Sequence, residues 1–273
     1  MSSAIGRTVL SYQHNAKLYT LPTAVVAITS FPSLPESNRQ LFKSATDQDS
    51  VVVTKETIFH PQGGGQPSDT GSMTSPSGSS FSVSAVRMSA TDEGQVLHLG
   101  RFADPSKPFT PSETATQHLD VDKRLLYSRL HTAGHVLGAA VRHLLEKQVP
   151  GFDELKASHF PDSAACEFAG LIEGKWKDGI QAKVDEYVAA SMPVEVDFWT
   201  EEDFKSNGVE RLIPNGDGVK LAPGEKYRVV KIVGAEVYPC GGTHVDTTDQ
   251  CGRVGVRKIS RSKGTSRVSY NVG

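Results

Sequence analysis

Residues 130–136, Leu-His-Thr-Ala-Gly-His-Val, lie within the stretch that decides the fold, residues 120–148. Apolar side chains recur along this stretch at alternating spacings of three and four, which is typical of an amphipathic helix. They are Leu126, Leu130, Ala133, Leu137, Val141 and Leu144. The opposite side repeats the spacing with polar and small residues, namely Ser128, His131, His135, Gly138 and Arg142. The sequence therefore predicts one long helix with an apolar face and a polar, solvated face.

The two histidines of this helix form a candidate pair of metal ligands. His131 and His135 are four residues apart, so their imidazoles stand over successive turns of one helix face. Such a pair can share one metal ion at about 2.0–2.1 Å per nitrogen. Taken alone, two histidines on a solvated face are more often free side chains than ligands.

A second fragment supplies two further candidate ligands. Residues 239–244 read Pro-Cys-Gly-Gly-Thr-His. Gly241 and Gly242 allow positive φ and a tight turn, so that Cys240 and His244 can converge on one point. Three histidines and one cysteine form a ligand set that suits zinc. The alternative is an inert buried cysteine with His244 in solvent, but the two fragments together favour a metal site.

Composition limits the class of protein. The chain has 273 residues, of which 37% are hydrophobic and 22% charged, as in a globular protein of one large or two ordinary domains. No run approaches the roughly 18 apolar residues that a membrane helix requires, so we expect no membrane partner. Three cysteines cannot form a disulfide framework, which indicates a reducing compartment.

Charge is unevenly distributed along the chain. A formal net charge of −2 argues against a wholly basic nucleic-acid binder. After Asp249, however, the chain has no acidic residue and carries six basic ones: Arg253, Arg257, Lys258, Arg261, Lys263 and Arg267. Such a segment can bind phosphates. The alternative is an edge strand that its charges protect from pairing.

The N-terminal segment has a weak transit-peptide character, because it has basic residues and no acid before Glu36. However, residues 8–12 and 18–28 already have the pattern of strands. We therefore expect the fold to begin near residue 7 and the protein to be cytoplasmic, with mitochondrial import as a minor alternative.

A glycine-rich segment follows the predicted strand at residues 51–58. Residues 60–71 include Gly63, Gly64 and Gly65, followed by Gln66. Backbone amides without side chains could hydrogen-bond a phosphate, a carbonyl or a ribose. A wide turn that requires positive φ is an equally good explanation. The spacing is not that of a Walker loop, because no Lys-Ser/Thr follows.

The remaining pattern predicts an α+β fold in two domains, 1–111 and 112–273. In the first we expect a polar loop at 32–49, a Ser/Gly turn at 71–81, a hairpin of 81–88 with 95–99, and a linker at 104–111, with a strand at 117–121 just beyond the boundary. In the second we expect an extended segment at 156–168 interrupted by Pro161, a helix at 177–191, and a loop at 207–224. Further strands are predicted at 194–200, 227–233, 253–259 and 267–272.

These motifs together resemble one family. The glycine-rich segment 63–71, the His131-x-x-x-His135 pair and the Cys240-Gly-Gly-Thr-His244 turn occur in this order both here and in the editing domain of alanyl-tRNA synthetase. The free-standing trans-editing relatives called AlaX are the most similar. The resemblance runs from about residue 7 to residue 272, and residues 227–245 match with particular closeness. The combination is specific, whereas each motif singly is not.

The resemblance implies a β-barrel-like N-terminal domain and an α+β editing domain, the second additional domain of threonyl- and alanyl-tRNA synthetases. It places His131, His135, Cys240 and His244 on the zinc and catalytic positions. The implied reaction is hydrolysis, in trans, of the ester that joins a wrong amino acid to tRNA(Ala). Seryl-tRNA(Ala) is the first expected substrate and glycyl-tRNA(Ala) the second. Zinc could activate water or only position the substrate, and both roles stay open.

Further residues receive expected roles within this reading. Gly63, Gly64, Gly65 and Gln66 would approach the substrate end of the tRNA. Because a site must hydrogen-bond the serine hydroxyl to reject alanine strongly, Thr132 and Gln66 are the candidates to read it. For Thr132, a hydrogen bond to its own helix is at least as good an explanation.

The tRNA surface and the competing functions complete these expectations. Arg257, Lys258 and Arg261 would contact tRNA phosphates. The alternatives are an RNA-binding module with a structural zinc and a metallohydrolase for small esters. Both a monomer and a dimer agree with the sequence.

Overall fold

The computed structural model describes residues 6–214, 221 and 224–273. The chain divides into two compact units. The first comprises the residues up to Gly63 together with Pro67–Leu125, and the second comprises Gly64–Gln66 together with Leu126–Gly273. This division falls at a helical residue, later in the chain than residue 111. The expectation of separate folding domains at 1–111 and 112–273 stays a prediction.

The first unit contains a closed β-barrel of six strands, in the order β2-β3-β7-β6-β5-β8. The strands and the short helix of the whole first unit are β1 (Val9–Leu10), β2 (Thr20–Ser30), α1 (Glu36–Arg39), β3 (Ser50–Thr54), β4 (Glu56–Thr57), β5 (Gly71–Thr74), β6 (Ser80–Met88), β7 (Val96–Phe102) and β8 (Thr114–Leu119). Strands β1 and β4 pair with each other outside the barrel. All neighbouring barrel strands are antiparallel. Alternate residues along β8, such as Ala115, Gln117 and Leu119, are buried. This alternation is the reason that the sequence forms a barrel with a filled interior.

Strand β5 corrects the prediction of a turn throughout residues 71–81. A side chain at Gly71 would place its Cβ 2.1 Å from the carbonyl oxygen of His118. Glycine therefore lets β5 approach β8 closely enough to close the barrel. The turn itself is confined to the residues after β5, where the Ser75 amide donates to the carbonyl of Ser79 over 3.0 Å.

Segment 32–49 is also more ordered than the polar loop that was predicted. It contains α1, and Leu34 and Phe42 are buried against Val51 and Val53 of β3. The polar composition concealed these two apolar anchors, because neither belongs to a periodic pattern.

The two ends of the glycine-rich segment, residues 60–71, are held by hydrogen bonds within the first unit. Asp69 accepts a hydrogen bond from the amide of His60 over 2.6 Å. Asp69 also pairs with Arg124, a side chain with 1% exposure that donates to the carbonyls of Ile58 and Ala16 as well. A buried ion pair with its remaining donors satisfied fixes one geometry for the segment.

The predicted long helix is present as α2 (Val121–Leu145), which spans 25 residues. Its polar face is not solvated as predicted, because every residue from 130 to 142 is buried. Small residues, including Ala133, Gly134 and Gly138, let neighbouring elements pack on all sides of the helix. The two histidines are consequently interior side chains.

The second unit combines helices with two antiparallel sheets, in agreement with the α+β prediction. Its remaining elements are β9 (Asp153–Ser158), β10 (Ala165–Ala169), α3 (Lys177–Ala189), β11 (Val194–Trp199), α4 (Glu201–Ser206), β12 (Tyr227–Ile232), β13 (Glu236–Pro239), β14 (Val254–Ser262) and β15 (Thr265–Val272). One sheet has the order β14-β15-β10-β9 and the other β11-β12-β13. A continuous core packs around the second half of α2.

Two features of this unit differ from the sequence prediction, and a third lies partly outside the described residues. The segment 156–168 forms two paired strands, β9 and β10, with Pro161 in the connection. Strand β13 and helix α4 were not predicted. Of the predicted loop 207–224, residues 215–220, 222 and 223 lie outside the described residues. Among the residues that are described, no helix has the length and apolar character needed to cross a membrane.

Candidate metal centre

Four side chains of the second unit converge on one point. The potential ligand atoms of His131, His135, Cys240 and His244 all lie within 4.8 Å of one another. The Cys240 sulfur is 3.4 Å from Nε2 of His131 and 3.4 Å from Nε2 of His244. Two separate elements, α2 and the turn after β13, supply two residues each. This group could hold a metal ion, as its sequence spacing predicted.

Gly242 is required in the turn for a different reason than expected. Its φ lies outside the left-handed region, but a Cβ there would be 2.2 Å from Cε1 of His131. The same Cβ would be 2.7 Å from the side-chain oxygen of Gln66. The glycine therefore provides room for the His131 ring. Its amide also donates to the Cys240 sulfur over 3.4 Å.

Gln66 fixes the orientation of the His131 ring. The Gln66 Oε1 atom accepts a hydrogen bond from the backbone amide of Thr243 over 3.0 Å, which identifies this atom as the carbonyl oxygen. The same oxygen lies 2.7 Å from Nδ1 of His131. Nδ1 must donate, because an amide carbonyl can only accept. The neutral ring then directs the lone pair of Nε2 towards Cys240, as a metal ligand requires.

The other two histidines have different surroundings. Nδ1 of His244 lies 3.1 Å from the Thr132 hydroxyl, which also accepts from the amide of Val245 over 3.2 Å. This contact leaves Nε2 of His244 directed at Cys240. Nδ1 of His135 is buried and has no hydrogen-bond partner among the described residues. A buried nitrogen without a partner is costly unless a ligand or an ion satisfies it.

Electrostatics favour the metal-binding form at His135 more than at Cys240. Burial, and secondarily His159 and Arg228, hold the pKa of His135 well below its usual range, so its imidazole is neutral. Burial raises the pKa of the Cys240 thiol, while the Gly242 amide and Arg228 act in the opposite direction. A metal binds thiolate and neutral imidazole, so binding must release the Cys240 proton.

A cavity of about 450 Å³ lies beside these side chains, within the second unit. His131, His135 and Cys240 contribute to its lining. Another part of the lining contains the Arg142 guanidinium, whose Nε is 2.8 Å from Glu154 and 3.3 Å from Glu236. The volume is within the range of small-ligand sites, about 300–1,000 Å³.

His159 is a residue of this cavity that sequence reasoning missed. It follows β9, and its ring stacks on that of His131 with centroids 4.1 Å apart. Burial lowers its pKa to about 4. No periodic or spacing signal singles it out, because its relation to His131 arises only when β9 packs beside α2.

The predicted substrate-binding residues differ in their position relative to the cavity. Gly64 lines the cavity, and Gly65 packs so closely that a Cβ would be 2.4 Å from the Ala157 carbonyl oxygen. Both have positive φ, as the turn interpretation predicted. Gln66 and Thr132 have 0% exposure and bind side chains of the metal centre. Gly63 lies outside the cavity lining.

The basic residues of the C-terminal segment lie on an edge strand. Arg257, Lys258 and Arg261 are exposed on β14, which is at the edge of its four-stranded sheet. Arg267, in contrast, hydrogen-bonds the carbonyl of Ser163 and approaches Glu167. Three of the six basic residues of this segment therefore lie exposed on β14.

Comparison with known proteins assigns this unit to a class. The family model described as the threonyl and alanyl tRNA synthetase second additional domain matches residues 227–269, which include Cys240 and His244. This stretch of the second unit is thus similar to a domain that occurs in two aminoacyl-tRNA synthetases.

Relatives that align over more of the chain extend this similarity. The alanyl-tRNA editing protein AlaX-L of Pyrococcus horikoshii is 29% identical over 244 residues, 89% of this chain and 56% of the relative. The alanine–tRNA ligase of Methanosphaera stadtmanae is 29% identical over 81% of this chain and 24% of the ligase. That of Methanothermobacter thermautotrophicus is 28% identical with the same coverage, 81% and 24%. The chain is thus similar to alanyl-tRNA synthetase editing domains and to AlaX-type editing proteins over most of its length. It spans about half of AlaX-L and about a quarter of each ligase.

Proposed function

We propose that this chain is a zinc-dependent aminoacyl-tRNA deacylase that removes wrong amino acids from tRNA(Ala) in trans. The observation that carries the proposal is the convergence of His131, His135, Cys240 and His244 beside a cavity. The relatives named for alanyl-tRNA editing and for alanine–tRNA ligation supply the substrate class. We place the activity in the cytoplasm.

Zinc is the metal that the donor set supports. In a tetrahedral zinc site, ligand distances of about 2.0–2.1 Å for nitrogen and 2.3 Å for sulfur put a nitrogen and a sulfur about 3.6 Å apart. The two separations between Cys240 and the histidine Nε2 atoms are 3.4 Å. The unpartnered Nδ1 of His135 and the donor held on His131 Nδ1 by Gln66 agree with an ion at this point. When bound, zinc would supply positive charge that anchors the substrate or lowers the pKa of a water to about 7.

The protein's own residues would hold the aminoacyl ester and the nucleophile. An aminoacyl ester is already activated, so positioning beside an oriented water can suffice for hydrolysis. Gly64 borders the cavity without a side chain, which leaves its backbone accessible to the substrate end of the tRNA. Thr132 and Gln66 would act by orienting His244 and His131, since their polar atoms already contact those rings.

Gly64 and Gly65 offer a matched pair to test the glycine segment. A Cβ at Gly64 would contact nothing within 4 Å, although its φ of 54° is unfavourable for other residues. We expect Gly64→Ala to lower deacylation while zinc content stays near that of the wild type. Gly65→Ala should instead lower thermal stability, because its Cβ would be 2.4 Å from the Ala157 carbonyl oxygen. Unchanged deacylation by a folded Gly64→Ala variant would exclude a substrate role for this residue.

Exposed Arg257, Lys258 and Arg261 would contribute to tRNA binding through phosphate contacts. Their position on β14 also agrees with charges that protect a sheet edge. Salt dependence of tRNA binding distinguishes these two roles.

Release of amino acid from purified charged tRNA tests the proposed function directly. We expect release from Ser-tRNA(Ala), slower release from Gly-tRNA(Ala), and sparing of Ala-tRNA(Ala). Cys240→Ala should abolish release, whereas Cys251→Ala, a buried cysteine outside the cluster, should retain it. Binding of tRNA without release would indicate an RNA-binding module. Release from a small ester but from no charged tRNA would indicate a different hydrolase.

A further inference from the structure

Recognition of the serine hydroxyl requires a polar side-chain atom that faces the cavity and is not already hydrogen-bonded within the protein. Thr132 and Gln66, the candidates from the sequence, have 0% exposure, and their polar atoms contact His244, Val245, His131 and Thr243. Neither side chain belongs to the cavity lining. The group that reads the hydroxyl must therefore come from another element.

His159 is held at the cavity by its neighbours. Its amide donates to the carbonyl of Gly65 over 2.9 Å, which links the end of β9 to the glycine segment. Its ring lies against Gly134 of α2, where a Cβ would be 2.4 Å from Cε1 of His159. Together with the stacking on His131, these contacts hold the ring in one position. The residue as a whole is 2% exposed.

A hydrogen-bond chain fixes which nitrogen of His159 carries the proton. The Tyr270 hydroxyl lies 2.8 Å from the carbonyl oxygen of Leu130 and 2.6 Å from Nδ1 of His159. A hydroxyl has one hydrogen, and the carbonyl can only accept, so the tyrosine donates to Leu130. Nδ1 of His159 must then donate to the tyrosine oxygen. In the neutral ring, Nε2 carries the lone pair.

Nε2 of His159 is an acceptor without an assigned partner. No hydrogen bond to it occurs in the described part of the chain, while the residue lines the cavity beside His131 and Cys240. His159 is outside the group of four candidate metal ligands. An acceptor that borders a cavity and is not bonded by the protein can receive a donor from whatever occupies that cavity.

We propose that Nε2 of His159 accepts a hydrogen bond from the side-chain hydroxyl of the misattached serine, and so determines that seryl-tRNA is hydrolysed in preference to alanyl-tRNA. This inference rests on the proposed deacylase function. A hydroxyl donor can pair with Nε2, whereas the methyl group of alanine displaces water from this acceptor and offers it no donor. Sites that hydrogen-bond a substrate hydroxyl reject the analogue without it by up to about 10⁴–10⁵-fold.

The test uses His159→Phe, which keeps a planar ring on His131 and removes both nitrogens. We expect kcat/KM for Ser-tRNA(Ala) to fall about 100-fold or more, within the range of a lost hydroxyl contact. The ratio of Ser-tRNA(Ala) to Gly-tRNA(Ala) hydrolysis should fall with it, because glycine has no side-chain hydroxyl for Nε2 to bind. The zinc content should stay near that of the wild type, because His159 is outside the group of candidate ligands. An unchanged serine-to-glycine ratio, whether both rates fall together or neither falls, overturns the proposal. A wild-type protein that releases no amino acid from any charged tRNA instead overturns the deacylase function, and this inference with it.

A second measurement keeps the proposal falsifiable if His159→Phe does not fold. Long-range ¹H–¹⁵N spectra of the wild-type holoprotein report the tautomer of each histidine directly. We expect the Nδ1–H form at His159, and the Nε2–H form would overturn the proposal. Tyr270→Phe removes the hydroxyl that receives the Nδ1 proton, so it should lower the serine-to-glycine preference by a smaller factor than His159→Phe. A preference in Tyr270→Phe equal to that of the wild type would contradict the hydrogen-bond chain.

Discussion

The interior of the barrel and the cavity of the second unit each contain buried histidines, but their hydrogen bonding differs. In the barrel, His98 has 0% exposure, and both ring nitrogens are bonded. Its Nδ1 lies 2.9 Å from the carbonyl oxygen of Val52, and its Nε2 lies 2.8 Å from the Thr57 hydroxyl. In the second unit, Nδ1 of His135 is buried without a partner among the described residues, and the ring of His159 is bonded there through Nδ1 alone.

This difference separates histidines better than burial or pKa does. Burial lowers the pKa of His98 and that of His159 to about 4. What distinguishes them is whether the protein itself uses both nitrogens. A fully bonded ring stabilises the fold, whereas a ring with one unused nitrogen beside a cavity is ready for an ion or a substrate.

The largest expected effect concerns the cysteine of the metal centre. Cys240→Ala removes the sulfur ligand, and bound zinc should fall from about one equivalent to below about one tenth, since a structural or catalytic site rarely tolerates loss of a thiolate. Elemental analysis after dialysis measures this. Cys251→Ala is the matched control and should keep its zinc. Full zinc retention in Cys240→Ala would show that the cavity of the second unit does not hold a metal through Cys240, and the contrast with the barrel would lose its basis.

The barrel histidine should contribute to acid sensitivity. Because burial lowers the pKa of His98 from 6.5 to about 4, the unfolded chain binds the proton more readily. Its stabilisation is therefore complete above about pH 6.5 and is lost as the pH falls towards 4, by about 2 kcal/mol between pH 7 and 4.5. Urea unfolding of the metal-free protein measures the loss, which should be smaller by this amount in His98→Gln. Parallel pH curves for the two proteins would show that His98 is not held neutral.

Orientation of a ligand should matter less than the ligand itself. Gln66→Leu removes the acceptor for Nδ1 of His131 and for the Thr243 amide. Loss of such a supporting contact typically weakens metal binding about 10–100-fold. Competition with a chelator of known affinity measures this effect. Gln62→Leu, a partly exposed residue of the same segment, is the control and should leave the affinity unchanged.

Thr132→Val should have a smaller effect on the same quantity. The hydroxyl lost in this variant bonds Nδ1 of His244 and the Val245 amide. We expect metal affinity to fall by a factor of roughly 10, at the lower end for such contacts. The ratio of seryl to alanyl hydrolysis should remain that of the wild type, because Thr132 is outside the cavity lining. A changed ratio would indicate that Thr132 hydrogen-bonds the serine hydroxyl, as the sequence suggested.

The smallest effect is expected from the charges on β14. Reversing Arg257, Lys258 and Arg261 to Glu should weaken tRNA binding and reduce the slope of log affinity against log salt by roughly 1–3. Filter binding at several salt concentrations measures the slope. If the slope is unchanged while the variant aggregates, the three charges protect the sheet edge instead.

The sequence alone brought the four candidate ligands to notice, because their signals are local. A spacing of four on a helix puts His131 and His135 on one face, and a short glycine turn keeps Cys240 near His244. The barrel strands were also partly predictable, since alternation of buried residues has a period of two. The resemblance of these motifs to editing domains, which the comparisons confirm, joined them into one site.

Only the tertiary structure decided what supports the ligands and what faces the cavity. Gln66 meets His131 across 65 positions of sequence, and Tyr270 meets His159 across 111. No local pattern records such a pairing, because it depends on which elements pack together. For the same reason, the polar face of α2 was predicted to be solvated although it is buried. A helical period shows which residues share a face, whereas the neighbours that cover the face come from distant parts of the chain.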